Sequence, residues 1–218
     1  METLDTCIRQ NSNRICYMIL PRGIRNEALD LEALSEKCSV SIVQVNGVDW
    51  NDDLTPWPAH GVFKKAKPFG GKADAFLGQL VDTCLPDIEG SLCLDEGVER
   101  TLLGVSLSGM FAVWAGFSTD VFTNIISISG SMWYDGFAEW VATHRMSPCV
   151  RKVCMLLGVR EKDTKEARMA NVHADTAAVA KSLAVNSHAE VIFETVEGTH
   201  FSPVMPRISR AFEVVYGG

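Results

Sequence analysis

The sequence predicts an α/β fold, with a mostly parallel sheet of about six to seven strands and helices on both faces. Three observations predict it. Strand-like runs alternate with helix-like stretches along the chain. The strand-like runs are continuously apolar, as in strands covered on both faces. The 218 residues, 47% hydrophobic and 22% charged, have an ordinary globular composition and suffice for one core. We read residues 1–218 as a single domain, without an internal repeat or a linker.

The elements follow in chain order. Residues 4–8 form a candidate edge strand. Residues 15–20 are a buried strand ended by Pro21-Arg22-Gly23. Residues 27–38 place Leu29, Leu31, Ala33 and Leu34 on a helical pattern, and 39–45 form a second buried strand rich in β-branched residues. Residues 46–71 hold Pro56, Pro58, Pro68 and two adjacent glycines, which makes them a long loop. Long loops inside a domain are functional or disordered, and Trp50, Trp57 and Phe63 favour an ordered one. Residues 72–85 are helical, with Pro86 as the stop. Strands at 100–105, 123–129, 152–157 and 190–196 then alternate with helices at 107–117, 136–144, 165–186 and 203–216, the last with Pro203 at its first position. In an open parallel sheet ligands sit beyond the carboxyl ends of the strands. The loops to inspect therefore follow residues 20, 45, 105, 129, 157 and 196.

Charge and cysteine usage narrow the function classes. Lys+Arg 20 against Asp+Glu 27 gives a net charge of −7, so neither nucleic acid nor an anionic membrane is expected as a partner. No apolar run approaches the ~20 residues of a membrane-spanning helix. The N-terminus carries Glu2 and Asp5 where a signal peptide needs basic residues. Seven cysteines, an odd number, are scattered without a Cys-x-x-Cys pair, and several lie inside apolar runs. They read as reduced, buried thiols and point to the cytoplasm.

The strongest chemical signal is Gly104-Val105-Ser106-Leu107-Ser108-Gly109, between a predicted strand and a predicted helix. It fits a nucleophile elbow, in which the chain turns sharply and a serine stands exposed above the sheet. The residues two before and two after the serine must be small, and Gly104 and Ser108 are. The Leu107 N–H would open the helix and face a developing oxyanion. A phosphate loop is excluded, because no Lys follows Gly109.

A serine of this kind needs a base. Of the five histidines, His173 and His188 lie on or at the end of a helix and are expected to face solvent. His144 ends a helix, where a cation suits the dipole. His60 lies in the long loop. His200, in Glu197-Gly198-Thr199-His200-Phe201, follows the last strand at the catalytic edge and is the expected base. In elbow enzymes the order is Ser, then acid, then His. The acid then falls in Gly158-Val159-Arg160-Glu161-Lys162-Asp163, with Glu161 favoured and Asp163 in reserve. Asp49-x-Asn51-x-Asp53 resembles the start of a calcium loop, but Leu54 replaces the turn glycine and His60 the closing Glu. No His/Cys cluster has zinc spacing, and no cofactor or metal is expected.

Taken together, these residues resemble the putative-esterase family of α/β-hydrolases, the group that includes esterase D and the enterochelin esterases. The resemblance covers nearly the whole chain. It rests on residues 49–57, the elbow, Ser129-Gly130-Ser131-Met132-Trp133, Leu157-Gly158-Val159-Arg160-Glu161 and Gly198-Thr199-His200-Phe201. It implies Ser106 as nucleophile, Glu161 as acid and His200 as base, on an α/β-hydrolase fold with little or no lid. It also implies a second oxyanion donor from the loop after the first buried strand. That loop here reads Pro21-Arg22-Gly23-Ile24, where relatives often carry a His-Gly or Ser-Gly turn, so the donor is the Arg22 or Gly23 N–H.

The expected function is hydrolysis of a small-molecule carboxylic ester through an acyl-enzyme, with Trp50, Trp57 and Trp133 walling the pocket. Thioester hydrolysis or acyl transfer by the same three residues is the alternative. A non-catalytic binding protein on the same scaffold is the alternative of another class.

Overall fold

The structure is a computed structural model and describes residues 4–10, 12–22, 30–92, 94 and 97–217. Its main sheet has seven strands in the order β1-β3-β2-β6-β7-β8-β9. These are β1 (Leu4–Ile8), β2 (Arg14–Ile19), β3 (Ser41–Val45), β6 (Glu99–Val105), β7 (Asn124–Ile128), β8 (Lys152–Gly158) and β9 (Glu190–Val196). All neighbours are parallel except the expected edge strand β1, which runs antiparallel to β3. A two-residue pair, β4 (Pro58–Ala59) with β5 (Phe69–Gly70), lies within the long loop.

Helices cover both faces. On one face α1 (Leu31–Cys38) and α8 (Met205–Tyr216) bury Leu34, Ile208 and Phe212 against Cys16, Ile42, Leu103 and Leu156. On the other, α2 (Ala73–Gln79), α3 (Leu85–Leu92), α4 (Leu107–Ser118), α5 (Phe137–Thr143) and α7 (Val172–Asn186) pack over Tyr17, Val43, Leu102 and Met155. Every residue of α4 from Leu107 to Gly116 is buried, as its almost wholly apolar sequence requires.

The strand order places the functional crevice. From β2 the chain crosses by α1 on one face to reach β3. From β6 it crosses by α4 on the opposite face to reach β7. β2 and β6 are hydrogen-bonded neighbours, Ile19 opposite Gly104, so the chain leaves them in opposite directions. A crevice opens at such a switch point, beyond the carboxyl ends of the two strands. Arg22 and Ser106 stand on its two sides.

Several sequence expectations are corrected. Pro86 does not stop the helix, which continues into α3 after a π-turn at Leu80–Cys84. The Leu85 N–H bonds the Leu80 carbonyl, one residue further back than in an α-helix. The widened turn just before Pro86 accommodates a residue that lacks an N–H and would press on a preceding carbonyl. The long helix expected at 165–186 is broken at Asn171 into α6 (Ala167–Ala170) and α7. Asn bonds locally and favours helix ends. The last helix begins at Met205 with Pro206 in its first turn, leaving Pro203 outside. Phe63 does not order the long loop, being 63% exposed. The start of the helix expected at 27–38 lies outside the described residues up to residue 29.

Candidate active site

Four local devices build the site. The first is the elbow. Ser106 has φ 64° and ψ −122°, a strained conformation for a residue with a Cβ. It is held there by its N–H on the Ile128 carbonyl at 2.9 Å. Its own carbonyl accepts from Gly109 at 3.0 Å and Ser131 at 3.0 Å. Gly104 is required: a Cβ there would lie 2.0 Å from the Ser108 carbonyl oxygen. Ser108, in place of a second glycine, has a function of its own. Its buried Oγ accepts the Val105 N–H at 2.8 Å and donates to the Ile19 carbonyl at 2.6 Å, tying the elbow to the end of β2.

The second device is the acid turn after β8. Gly158 has no room for a side chain, since a Cβ would stand 2.7 Å from the Gly198 carbonyl. The turn folds Glu161 back so that its Oε1 accepts the Gly158 N–H at 2.7 Å. The third is the histidine loop after β9, with the tight bend at Gly198, φ 126°. Val159 N–H to the Val196 carbonyl at 2.8 Å and Arg160 N–H to the Gly198 carbonyl at 3.0 Å join it to the acid turn. The fourth is Ser129 at the end of β7, with φ 50°, whose Oγ–H donates to Glu161 Oε1 at 2.6 Å.

These devices bring together three side chains from distant parts of the sequence. His200 Nε2 is 3.1 Å from Ser106 Oγ, and His200 Nδ1 is 2.8 Å from Glu161 Oε2. The His200 side chain is 21% exposed and that of Glu161 is 1% exposed. Burial pushes the Glu161 carboxyl up, but the donors from His200, Ser129 and the Gly158 N–H outweigh it and hold it below the ordinary carboxylate value. Asp163 is exposed and away from this line. The Leu107 N–H is the first amide of α4, immediately after Ser106.

The other expected residues separate. A cavity of about 570 Å³ beyond β2 and β3 is lined by Leu20, Pro21, Arg22, Gly47, Trp50 and Lys67, among others. Arg22 and Trp50 thus line one cavity, whose lining does not include Ser106, Glu161 or His200, and Gly23 lies outside the described residues. Trp57 is a packing residue: its indole N–H donates to the Asp135 carbonyl at 2.9 Å and its ring meets Tyr134, Phe137 and Trp140. Trp133 is partly buried, with the Arg168 guanidinium 5.3 Å from its ring centre. That arginine also donates to the His60 carbonyl at 3.1 Å and pairs with Asp135 at 3.0 Å, joining the long loop to the loop after β7. His173 does not simply face solvent, since its Nε2 lies 3.0 Å from the Gly158 carbonyl. The acidic residues at 49–53 are spent on folding. Asp49 accepts the N–H groups of Asn51 and Asp52, and Asp52 pairs with Lys72 at 2.9 Å. Among the described residues no group of His, Cys, Asp or Glu could hold a metal ion.

Sequence reading missed Ser129 and Arg207. Arg207 lies in the apolar stripe Val204, Ile208, Ala211, Val215 of the last helix, a misplaced charge that could have signalled it. Its Nη1 donates to Ser129 Oγ and, at 3.1 Å, to Glu161 Oε1.

Comparisons with known proteins place the chain in a family and show its fold in other proteins. Residues 22–202 match the Esterase family model, described as putative esterase. The chain belongs to the putative-esterase family. The uncharacterized protein YbbA of Bacillus subtilis (strain 168) is 31% identical over 134 residues, 61% of this chain. The chain spans about half of that relative, 54% of its length. Among solved structures, siderophore hydrolase EstB from Aspergillus nidulans superposes with a TM-score of 0.68 at 19% identity, covering 97% of this chain and 85% of that one. The enterobactin esterase FES from Shigella flexneri gives 0.67 at 15% identity, covering 97% of this chain and 54% of that one. These likenesses show a shared α/β-hydrolase fold. No helix among the described residues is long and apolar enough to cross a membrane.

Two outcomes are expected from this geometry. Gly104→Ala should destabilise the fold by about 3 kcal/mol, because the clash is with backbone that cannot yield; urea denaturation measures it. Glu161, with a lowered carboxyl pKa in the fold, contributes stability above the ordinary carboxylate pKa, and that contribution is lost as pH falls through the folded value. The stability gap between wild type and Glu161→Gln should therefore narrow from pH 7 to pH 4. A gap independent of pH would contradict the assignment of a buried anion.

Proposed function

We propose that this protein is a serine hydrolase that cleaves a small-molecule carboxylic ester through an acyl-enzyme. The observation that carries the reading is the unbroken line from Ser106 Oγ through His200 to the buried carboxylate of Glu161. Glu161 Oε2 accepts the Nδ1 proton of His200, which leaves the Nε2 lone pair facing the serine. His200 takes the Ser106 proton as Oγ attacks the acyl carbon, and the imidazolium is stabilised by Glu161. The oxyanion lies at the N-terminus of α4, with the Leu107 N–H as one donor and the chain near Arg22 as the other. Collapse breaks the ester C–O bond, and His200 returns the proton to the departing alkoxide. Water, deprotonated by His200, then attacks the acyl-enzyme and releases the acid and free Ser106. In this reading the cavity lined by Arg22 and Trp50 takes one arm of the substrate. Two of the solved neighbours are named for siderophore and enterobactin hydrolysis, so a catecholate siderophore belongs in the substrate panel.

The direct test is covalent labelling. Ser106→Ala should keep the wild-type circular dichroism spectrum and lose reaction with a fluorophosphonate. Labelling at the wild-type level would place the nucleophile elsewhere, and an unreactive wild type would favour a non-catalytic binding protein.

The acid is tested by a pair of variants. Glu161→Gln should lower kcat on a nitrophenyl ester by roughly 10²–10⁴-fold, the range over which orienting acids act. Asp163→Asn, at an exposed position, should change it by less than about tenfold on the same scale. The reverse ranking would move the role to Asp163, and near-normal rates in both would leave a Ser106–His200 pair.

A further inference from the structure

Arg207 places a full charge where its helix presents an apolar stripe to the sheet. Its side chain is 4% exposed. A guanidinium is costly there unless its donors are met. Among the described residues they meet Ser129 Oγ, Glu161 Oε1 at 3.1 Å, and the Ser202 carbonyl at 2.7 Å. These acceptors belong to the loops after β7, β8 and β9, the last being the loop that carries His200. One side chain from α8 thus joins three strand ends.

We propose that Arg207 is a positioning residue for the ester hydrolase chemistry, fixing which oxygen of Glu161 serves His200. This rests on the triad reading above. Arginine has no acceptor, so the Ser129 hydroxyl that receives its Nη1–H must direct its own proton elsewhere. That proton goes to Glu161 Oε1. Oε1 then carries three donors: the Gly158 N–H, the Ser129 hydroxyl and Arg207 Nη1. Oε2 is left for His200 Nδ1–H, which sets the tautomer with Nε2 free toward Ser106. The second arm of the fork, on the Ser202 carbonyl, holds the histidine loop in register with the carboxylate. A lysine would keep the charge but has no planar fork to span both groups.

The experiment is a double-mutant cycle on the whole protein. Arg207→Gln and Arg207→Lys are made in the wild-type and Glu161→Gln backgrounds and assayed on a nitrophenyl ester, with folding checked by circular dichroism. Arg207→Gln should lower kcat by about 10–100-fold, the scale of a small misplacement of catalytic groups, with KM changed by less than about threefold. Arg207→Lys should recover part of that loss. In the Glu161→Gln background Arg207→Gln should cost less than about threefold, because its effect passes through the carboxylate. A wild-type kcat for folded Arg207→Gln, or an equal loss in both backgrounds, would overturn the proposal. If Arg207→Gln does not fold, Ser129→Ala takes its place in the cycle. It should lower kcat about tenfold in the wild-type background and not in Glu161→Gln; full activity would overturn the proposal. Ser106→Ala separates the two readings: activity that survives it removes the triad itself, whereas an inactive Ser106→Ala beside a fully active Arg207→Gln removes only the role of Arg207.

Discussion

A buried negative charge organises the functional end of this molecule. Glu161 has a side chain 1% exposed, and an uncompensated carboxylate at that depth would not stay ionised. The fold supplies donors from four separate segments: the Gly158 amide, the Ser129 hydroxyl, the Arg207 guanidinium and the His200 ring. Satisfying one carboxylate therefore fixes the relative positions of the loops after β7, β8 and β9 and the first turn of α8. The network is polar at its centre and apolar around it, since Val204, just before α8, and Ile208 of α8 belong to the apolar layer against the sheet. Low local dielectric strengthens each of these hydrogen bonds and makes a missing one expensive.

The second constraint is steric and lies one strand away. β6 ends at the switch point of the sheet, and the chain must turn from strand to helix within a residue. That turn holds Ser106 at positive φ, a cost of about 1–3 kcal/mol, and Ser129 at the end of β7 is also at positive φ. Both strained serines project from adjacent strand ends, one toward His200 and one toward Glu161. The strain is carried by well-buried surroundings: Ile128 and Ser108 are fully buried, and their hydrogen bonds to the elbow are short. The rigid part of the site is thus tied to the core, while the Arg22 side of the crevice is an exposed turn.

How much of this was legible follows from which physical rules act locally. The strands β2, β3, β6, β7 and β8 were legible because burial on both faces forces continuous apolar runs, and the elbow because only small residues fit at 104 and 108. The ends of helices were less so. Pro86 breaks a helix by local rules, but a π-turn placed ahead of it removes the conflict, and nothing in the flanking residues announces that turn. The tryptophans show the same limit. Composition puts Trp50 and Trp57 in one loop, yet one lines a cavity and the other packs against Tyr134 and Trp140. Which does which is settled by contacts some 80 residues away, beyond any local pattern. Arg207 stood in plain view as a charge on an apolar stripe, but its partners lie on three other loops, so the stripe alone could not name them.

The same network explains why the proposed acid is a glutamate in a turn that also offers an aspartate. The carboxylate has to do two things at once: fold back onto the Gly158 N–H three residues earlier, and reach across to His200 on the neighbouring strand's loop. Backbone bonds between the two loops, Val159 to Val196 and Arg160 to Gly198, set the distance to be crossed. An aspartate at 161 would be shorter by one methylene, about 1.5 Å of carbon–carbon bond. It would have to give up either the amide behind it or the imidazole ahead of it. Asp163 lies two residues further along and is turned to solvent, because its own N–H closes a turn on the Arg160 carbonyl at 3.1 Å. Side-chain length and turn geometry, more than charge, select Glu161 from this acidic loop, and Arg207 and Ser129 hold the longer side chain in the one position where both demands are met.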